Sequence, residues 1–278
     1  PGLYGPAGVP ATSVEECRIR LEADGCIRVE TGATDQGQGT LTGIRQIVAS
    51  ELGLDIQSVD VFSADSGGAR GGGAWASRGL SLAGEASLLA AEALRISILE
   101  IAGELFQTPS EDLQLEKGLI RCAGREDMTL VDFAKLAWFK PYDLPAGSTD
   151  KLAVSRSYTL EGRPHLVANG VMGCLVEVDP ETGAVDLLRH WVVEDCGTVI
   201  NQALVDGQIM GGAAQGIGQV LGEDLQYDER GQLLSGTFMD YAVPRADIIP
   251  PMEILHVTTP QVGTKLRVKG VGEAGTVG

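Results

Sequence analysis

Near the end of the sequence, Glu273 stands within Val268-Lys269-Gly270-Val271-Gly272-Glu273-Ala274-Gly275. Glycine removes the side-chain wall around a neighbouring carboxylate, so a small molecule can approach it closely. The chemistry open to such an acid is proton transfer; the plain alternative is an exposed loop carboxylate. Residues 270–275 also spell G-x-G-x-x-G. A dinucleotide fingerprint, however, needs a helix behind the glycines and an acid about 20 residues further on. With three residues after Gly275, that reading is set aside.

Three further segments combine glycine with polar groups. Gly37-Gln38-Gly39 precedes a helical stretch, where free N–H groups attract an anion and one amide both donates and accepts. Taken alone, it reads first as a plain turn with an N-cap. Arg70-Gly71-Gly72-Gly73-Ala74-Trp75-Ala76-Ser77-Arg78 sets two arginines in a glycine run before a long helix. Ser77 is the expected N-cap, and the segment is either an anion site or a loop with solvated arginines. Residues 211–219 place glycines and Gln215 in an expected helix, which serves close helix packing or a ligand lying on the backbone. Cys196 reads as a small buried residue. His165, His190 and His256 form no nucleophilic triad by spacing.

A formal charge of −17 argues against a general nucleic-acid binder. Five scattered cysteines and three histidines offer no zinc or iron–sulfur spacing, and point to reduced thiols in the cytoplasm. No signal peptide or transmembrane segment is expected. The apolar stretch 80–106 is broken by Glu85, Glu92, Arg95, Glu100 and Glu104 and reads as a buried amphipathic helix. Glycine, at 38 of 278 residues, runs at about twice its usual share, so many backbone positions are special.

One pattern occurs twice. Residues 18–30 alternate about an Asp24-Gly25 turn and read as a hairpin; Gly37-Gln38-Gly39 and a helix over 42–52, closed by Gly53, follow. Later, 174–178 and 185–193 flank Asp179-Pro180-Glu181-Thr182-Gly183 as a second hairpin. Asp195-Cys196-Gly197 and a helix over 204–221 follow it. Between the copies, the sequence predicts a strand over 56–63, a hairpin over 113–121 and a short helix over 130–139. Residues 140–150, with Pro141, Pro145 and Gly147, read as the linker. The expected fold is α+β, with two related subdomains carrying mixed sheets, divided as 1–150 and 151–278.

Taken in order, several segments together resemble the molybdopterin-binding large subunit of the xanthine dehydrogenase family. They are Gly37-Gln38-Gly39, Trp75-Ala76-Ser77-Arg78, Val178-Asp179-Pro180-Glu181-Thr182-Gly183, Asp195-Cys196-Gly197, Gly207-Gln208-Ile209, Ala214-Gln215-Gly216-Ile217-Gly218 and 269–275. The closer likeness is to the aerobic carbon monoxide dehydrogenase branch, over nearly the whole chain and the C-terminal portion of that subunit. The resemblance implies a molybdenum cofactor-binding fold. It makes Glu273 the base that deprotonates a hydroxyl on molybdenum, a role suited to a buried acid with a raised pKa.

By the same resemblance, Gly37, Gln38 and Gly39 form the glutamine segment beside the metal. Ala76 and Ser77 hold the pterin end, Gln215 bonds the pyranopterin, and Lys269, Gly270 and Gly272 form the approach to the glutamate. Arg78, with Arg70, suits the phosphates of a molybdopterin cytosine dinucleotide. No protein side chain ligates the metal. The implied partners are the N-terminal half of the subunit, an iron–sulfur small subunit and an FAD-binding subunit, with a small substrate such as an N-heterocycle or aldehyde. Relatives often carry proline where Gln202 stands, and the region 65–73 is shorter here. The chain alone is expected to be inactive. Rival readings are a cofactor-binding or assembly module without chemistry, and a structural interaction domain.

Overall fold

A computed structural model describes residues 2–4, 14–160 and 166–277. In chain order the strands and helices begin with β1 (Gly2–Tyr4), β2 (Val14–Leu21), β3 (Ile27–Thr31), α1 (Thr40–Leu52), β4 (Val59–Phe62) and α2 (Gly84–Phe106). They continue with β5 (Leu113–Glu116), β6 (Leu119–Cys122), β7 (Met128–Thr129), α3 (Leu130–Phe139), α4 (Ser148–Lys151) and β8 (Ala153–Thr159). The last are β9 (Leu166–Val178), β10 (Val185–Asp195), α5 (Gln202–Leu221) and β11 (Met252–His256). The chain forms two compact units. One comprises Pro6–Pro164 with Thr264–Leu266; the other comprises Pro1–Gly5, His165–Gly263 and Arg267–Gly278.

In the N-terminal unit the sheet runs β4-β3-β2-β8. Both neighbours of β2, its hairpin partner β3 and the distant β8, are antiparallel to it, and β3 pairs parallel with β4. Side chains alternate across a strand, so Cys17, Ile19 and Leu21 share one face with Ile27 and Val29. That face is buried in a core that also takes Ala86, Ala90, Leu94, Ile98 and Ile101 of α2. The i, i+4 spacing of the alanines lets this helix lie close on the strands. Glycine at the end of α1 adopts the left-handed conformation, with Gly53 at φ 63°, and closes the helix as expected. A second small sheet, β5-β6-β7, leads into α3, whose N-cap is Thr129. Residues 264–266 rejoin this unit: the Leu266 N–H donates to Glu85 at 2.7 Å, and Lys265 pairs with Glu92.

Two expectations change here. Residues 140–150 are not a linker, because Pro141–Asp143 form a 3-10 turn, α4 follows, and Leu144 is buried in the core. Residues 153–159, allotted to the second half, form β8 in the first sheet because their backbone pairs along β2 from Val14 to Arg20. The long helix also starts differently. Gly79–Ala83 wind as a π-turn before α2, and Arg78, without a side-chain cap, precedes it. Ser77 is therefore not the N-cap.

The C-terminal unit repeats the plan, in the order β1-β9-β10-β11. β9 and β10 are antiparallel with an irregularity between Leu187 and Arg189, and β10 pairs parallel with β11. In both units, then, a hairpin, a helix and a returning strand parallel to the hairpin's second strand make one motif. The fourth place in each sheet goes to an antiparallel strand, β8 in one and β1 in the other. The fold is α+β with two related mixed-sheet units. Asn201 caps α5 by accepting from the Leu204 N–H at 3.1 Å. Gln202 is the first residue of that helix, a position where proline is equally at home, so the departure at this residue needs no rearrangement.

Candidate functional site

In the N-terminal unit, the chain leaving β3 turns sharply at Gly37 (φ 103°) and Gly39 (φ 82°) before α1. Asp35 organises this turn. Its carboxylate accepts from the N–H of Gly37 at 2.7 Å, Gly39 at 3.4 Å and Leu41 at 3.1 Å. These N–H groups, expected to be free for an anion, are thus occupied from within the chain. Gln38 is half-buried; its amide oxygen accepts from the Gln36 N–H at 2.5 Å and its nitrogen donates to the Thr34 carbonyl at 3.2 Å. A methyl group built at Gly37 would meet nothing within 4 Å, so the turn has an open side.

The two arginines of the 70–78 loop have opposite surroundings. Arg78 is fully buried, and its guanidinium pairs with Glu15 at 2.5 Å while donating to the Gly73 carbonyl at 2.7 Å. Glu15 also accepts from the Gly72 N–H at 2.9 Å, and Glu16 from the Arg70 N–H at 3.0 Å. Arg70 itself is exposed. Trp75 to Arg78 form a tight turn closed by the Arg78 N–H on the Trp75 carbonyl at 3.2 Å, with Ala76 at φ 48° and Ser77 at φ 53°. Two positive φ angles in succession are the signature of a type I′ turn, ordinarily filled by asparagine and glycine. This turn and the Gln38 turn are neighbours in the unit: a methyl at Gly79 would stand 3.0 Å from the Thr40 hydroxyl.

In the C-terminal unit the glycines of α5 divide by face. Methyls at Gly212 and Gly216 would stand 2.9 Å from Gly275 and 3.1 Å from the Thr276 carbonyl, and one at Gly218 would stand 2.6 Å from Pro244. These three serve packing. Gly207 and Gly211 are exposed and would meet nothing, and exposed Gln215 lies on the same face at the next i, i+4 step. A methyl at Gly275 would strike the Ile209 carbonyl, so the short 3-10 turn Ala274–Thr276 sits directly on the helix backbone. Glu273 opens that turn and is exposed in this chain, against the expectation of a buried acid.

The approach to Glu273 is held by Asp195. Its carboxylate accepts from the N–H groups of Gly197 at 3.0 Å and Thr259 at 3.1 Å, and from the Lys269 ammonium at 2.8 Å. Both side chains are more than nine-tenths buried, at 6% and 9% exposure. Burial alone would push the Asp195 carboxyl up. The Lys269 ammonium and the two backbone donors outweigh it and hold the group below its usual range. The Lys269 charge is thus spent on Asp195, while its N–H donates to the Cys196 carbonyl at 2.7 Å and Gly270 is buried. Next to this pair, burial and the Asp195 charge raise Glu194 to about 7 against the pull of His256 and Lys269.

The remaining reactive side chains stay structural. Burial, reinforced by the Glu194 charge, lifts the Cys196 thiol to about 11, which keeps it protonated. His190 sits 2.9 Å from the Cys174 sulfur and its pKa is lowered by burial, His256 contacts Asp206 at 2.7 Å, and His165 lies outside the described residues. Among the described residues, no group of three His, Cys, Asp or Glu is placed to hold a metal ion. No helix among them is long and apolar enough to cross a membrane.

Sequence reasoning missed Glu15 and Asp35. Each had a signal. Glu15 falls on the strand face of Cys17, Ile19 and Leu21, where an acid must find a cation. Asp35, two residues before Gly37, is placed for an Asx turn.

The family model for the molybdopterin cofactor-binding domain matches residues 2–250. The nicotine 6-hydroxylase large subunit of Paenarthrobacter nicotinovorans is 36% identical, over 99% of this chain and 34% of that protein. The carbon monoxide dehydrogenase large chain of Hydrogenophaga pseudoflava is 32% identical, over 95% of this chain and 33% of that protein. Among solved structures, quinoline 2-oxidoreductase from Pseudomonas putida 86 superposes with a TM-score of 0.86 at 34% identity, covering 97% of this chain and 34% of that one. This chain spans about a third of the length of the relatives it matches.

Proposed function

This chain belongs to the molybdopterin cofactor-binding domain family, among large subunits of the xanthine dehydrogenase group, and we propose that it contributes the base and part of the cofactor wall of a molybdenum hydroxylase. The observation that carries the reading is the bare face of α5. Gly207 and Gly211 leave the helix backbone open beside exposed Gln215, and the turn bearing Glu273 is seated on the same helix. A flat pterin fits a backbone without side chains, and a metal carried on a dithiolene needs no cluster of protein ligands. When bound, the molybdenum cofactor supplies the two-electron redox chemistry.

The chain's own residues do the rest. Gln215 bonds the pterin edge across the open face of the C-terminal unit. In the N-terminal unit, the Gln38 turn and the Ala76-Ser77 turn present backbone to a molybdenum cofactor in its cytosine dinucleotide form. Lys269, Gly270 and Gly272 set the path of the chain into Glu273, whose carboxylate accepts a proton from water as it is activated. General-base help of this kind is worth a factor of about 10² to 10⁴. The net change is a substrate C–H and water giving a C–OH with two electrons and two protons, the electrons leaving through iron–sulfur and FAD partners. Nicotine and quinoline in the names of relatives favour an N-heterocycle as substrate. Exposed Val171, Leu255, Phe238 and Met239 support docking of the C-terminal unit on the remainder of the large subunit, and five free thiols support a cytoplasmic setting.

The exposure of Glu273 favours one second reading, a cofactor-binding module without chemistry. Glu273→Gln in the assembled enzyme separates them. Turnover lost by at least about a hundredfold with molybdenum retained supports the base; unchanged turnover leaves only the binding module.

A further inference from the structure

The buried pair beneath the 70–78 loop does work that the cofactor reading of Arg78 does not describe. Arg78 and Glu15 have 0% and 1% of their side chains exposed. Three consecutive glycines close over them, each for its own reason. A methyl at Gly71 would stand 2.5 Å from the Glu15 carboxylate, one at Gly72 would stand 2.8 Å from the guanidinium, and Gly73 takes φ 86°. The loop is thereby drawn onto β2, where the Glu16 N–H donates to the Arg70 carbonyl at 2.8 Å. The Trp75 indole N–H donates back to the Gly72 carbonyl at 2.9 Å. Between these anchors, Ala76 and Ser77 occupy left-handed conformations that non-glycine residues resist. Such strain persists only where the surroundings over-determine it, and it gathers at ligand-holding sites. The pair also leaves Arg78 Nε and Nη2 and one Glu15 oxygen without partners, which a device selected for stability alone would avoid.

We infer that Glu15 and Arg78 are positioning residues: their buried pair is a strut that holds the Ala76-Ser77 turn in its strained conformation, so that its backbone faces the cofactor. Arg78 therefore acts through residues 76 and 77 and does not reach the cofactor phosphates. The inference rests on the cofactor reading above.

The test uses the assembled enzyme that contains this chain, with molybdenum and pterin content as the readout. Arg78→Met and Glu15→Gln each lower both contents about tenfold or more, since the turn escapes to an unstrained conformation. Adding Ala76→Gly removes one of the two steric penalties and restores content by about fivefold. A variant that is merely misfolded gains nothing from that glycine. Arg78→Lys keeps the charge with a shorter reach; it gives a partial loss, again restored by Ala76→Gly, if the methionine variant does not accumulate. Full cofactor content in Arg78→Met and Arg78→Lys, or losses that Ala76→Gly leaves untouched, overturn the strut. A wild-type enzyme without molybdenum defeats the functional reading instead. The strut is then judged by limited proteolysis of the 70–78 loop, which must speed up in Arg78→Met and slow again with Ala76→Gly.

Discussion

In the N-terminal unit, the sheet face bearing Cys17, Ile19, Leu21, Ile27 and Val29 is buried together with α1 and α2 in one apolar core. In the C-terminal unit, the same topology leaves Val171, Leu175, Leu255 and Val220 exposed, and among the described residues the apolar cluster about Ala168, Val271 and Ala274 is small. Beside apolar Val192, Ile209 and Val268, that unit buries polar His190, Glu194 and Asp195, each less than a tenth exposed. A shared strand order thus does not decide where apolar surface goes. In each unit a buried carboxylate–cation pair nonetheless pins a loop, Glu15–Arg78 in one and Asp195–Lys269 in the other.

The two pairs differ in how much survives their loss. Arg78→Met strands Glu15 with a single N–H donor, that of Gly72, and removing one partner of a buried pair costs about 3–5 kcal/mol. Lys269→Met leaves Asp195 with the N–H donors of Gly197 and Thr259, so its cost falls to about 1–3 kcal/mol, nearer that of a lost charged hydrogen bond. Urea midpoints of the two variants measure the gap, and equal midpoints would remove the distinction. A core probe comes next. Ile19→Ala in the closed core costs about 2–5 kcal/mol, whereas Val171→Ala on the open face stays within about 0.5 kcal/mol of wild type.

Glu194 extends the contrast to pH. Its carboxyl is raised from 4.5 to about 7, by burial first and then by Asp195. The folded state therefore holds a proton that the unfolded chain releases. This stabilisation is complete below pH 4.5 and is lost as pH rises through about 7. A shift of this size corresponds to a loss of roughly 3 kcal/mol across that window. Asp195, held low, acts oppositely: its contribution is present above the ordinary aspartate range and fades as pH falls through its folded value. Glu194→Gln flattens the fall in stability between pH 5 and 8, seen as a urea midpoint that no longer moves. A midpoint that still drops by the wild-type amount in this variant would clear Glu194.

Much of this was legible in the sequence, and the failures share a cause. Both hairpins, the helix stop at Gly53 and the short helix over 130–139 were readable because local periodicity and glycine stops are local physics. The strand membership of 153–159 was not, since which strand β8 joins depends on β2, far away in the chain. The same holds for Arg78. Its charge was plain, but its partner Glu15 lies at a distance that no spacing rule reaches, so the arginine read as a phosphate ligand instead of a buried strut. Glu273 was located by its glycines, while its burial depends on what surrounds the finished site and could not be read from neighbours in sequence.

The smallest effect separates packing from binding on a single helix. Glycine inside a helix costs about 1 kcal/mol relative to alanine, so each glycine of α5 needs a compensating use. At Gly212 the use is visible: a methyl would stand 2.9 Å from the Gly275 backbone, and Gly212→Ala must displace the turn that carries Glu273. At Gly211, one residue earlier, the methyl meets nothing. Gly211→Ala should therefore stabilise the chain by up to about 1 kcal/mol in urea unfolding. If the open face exists to receive a pterin, the same substitution lowers the molybdenum content of the assembled enzyme while raising its stability. A stabilised variant with full molybdenum content would show that Gly211 is not kept free for the cofactor, and the bare face of α5 would lose its functional meaning.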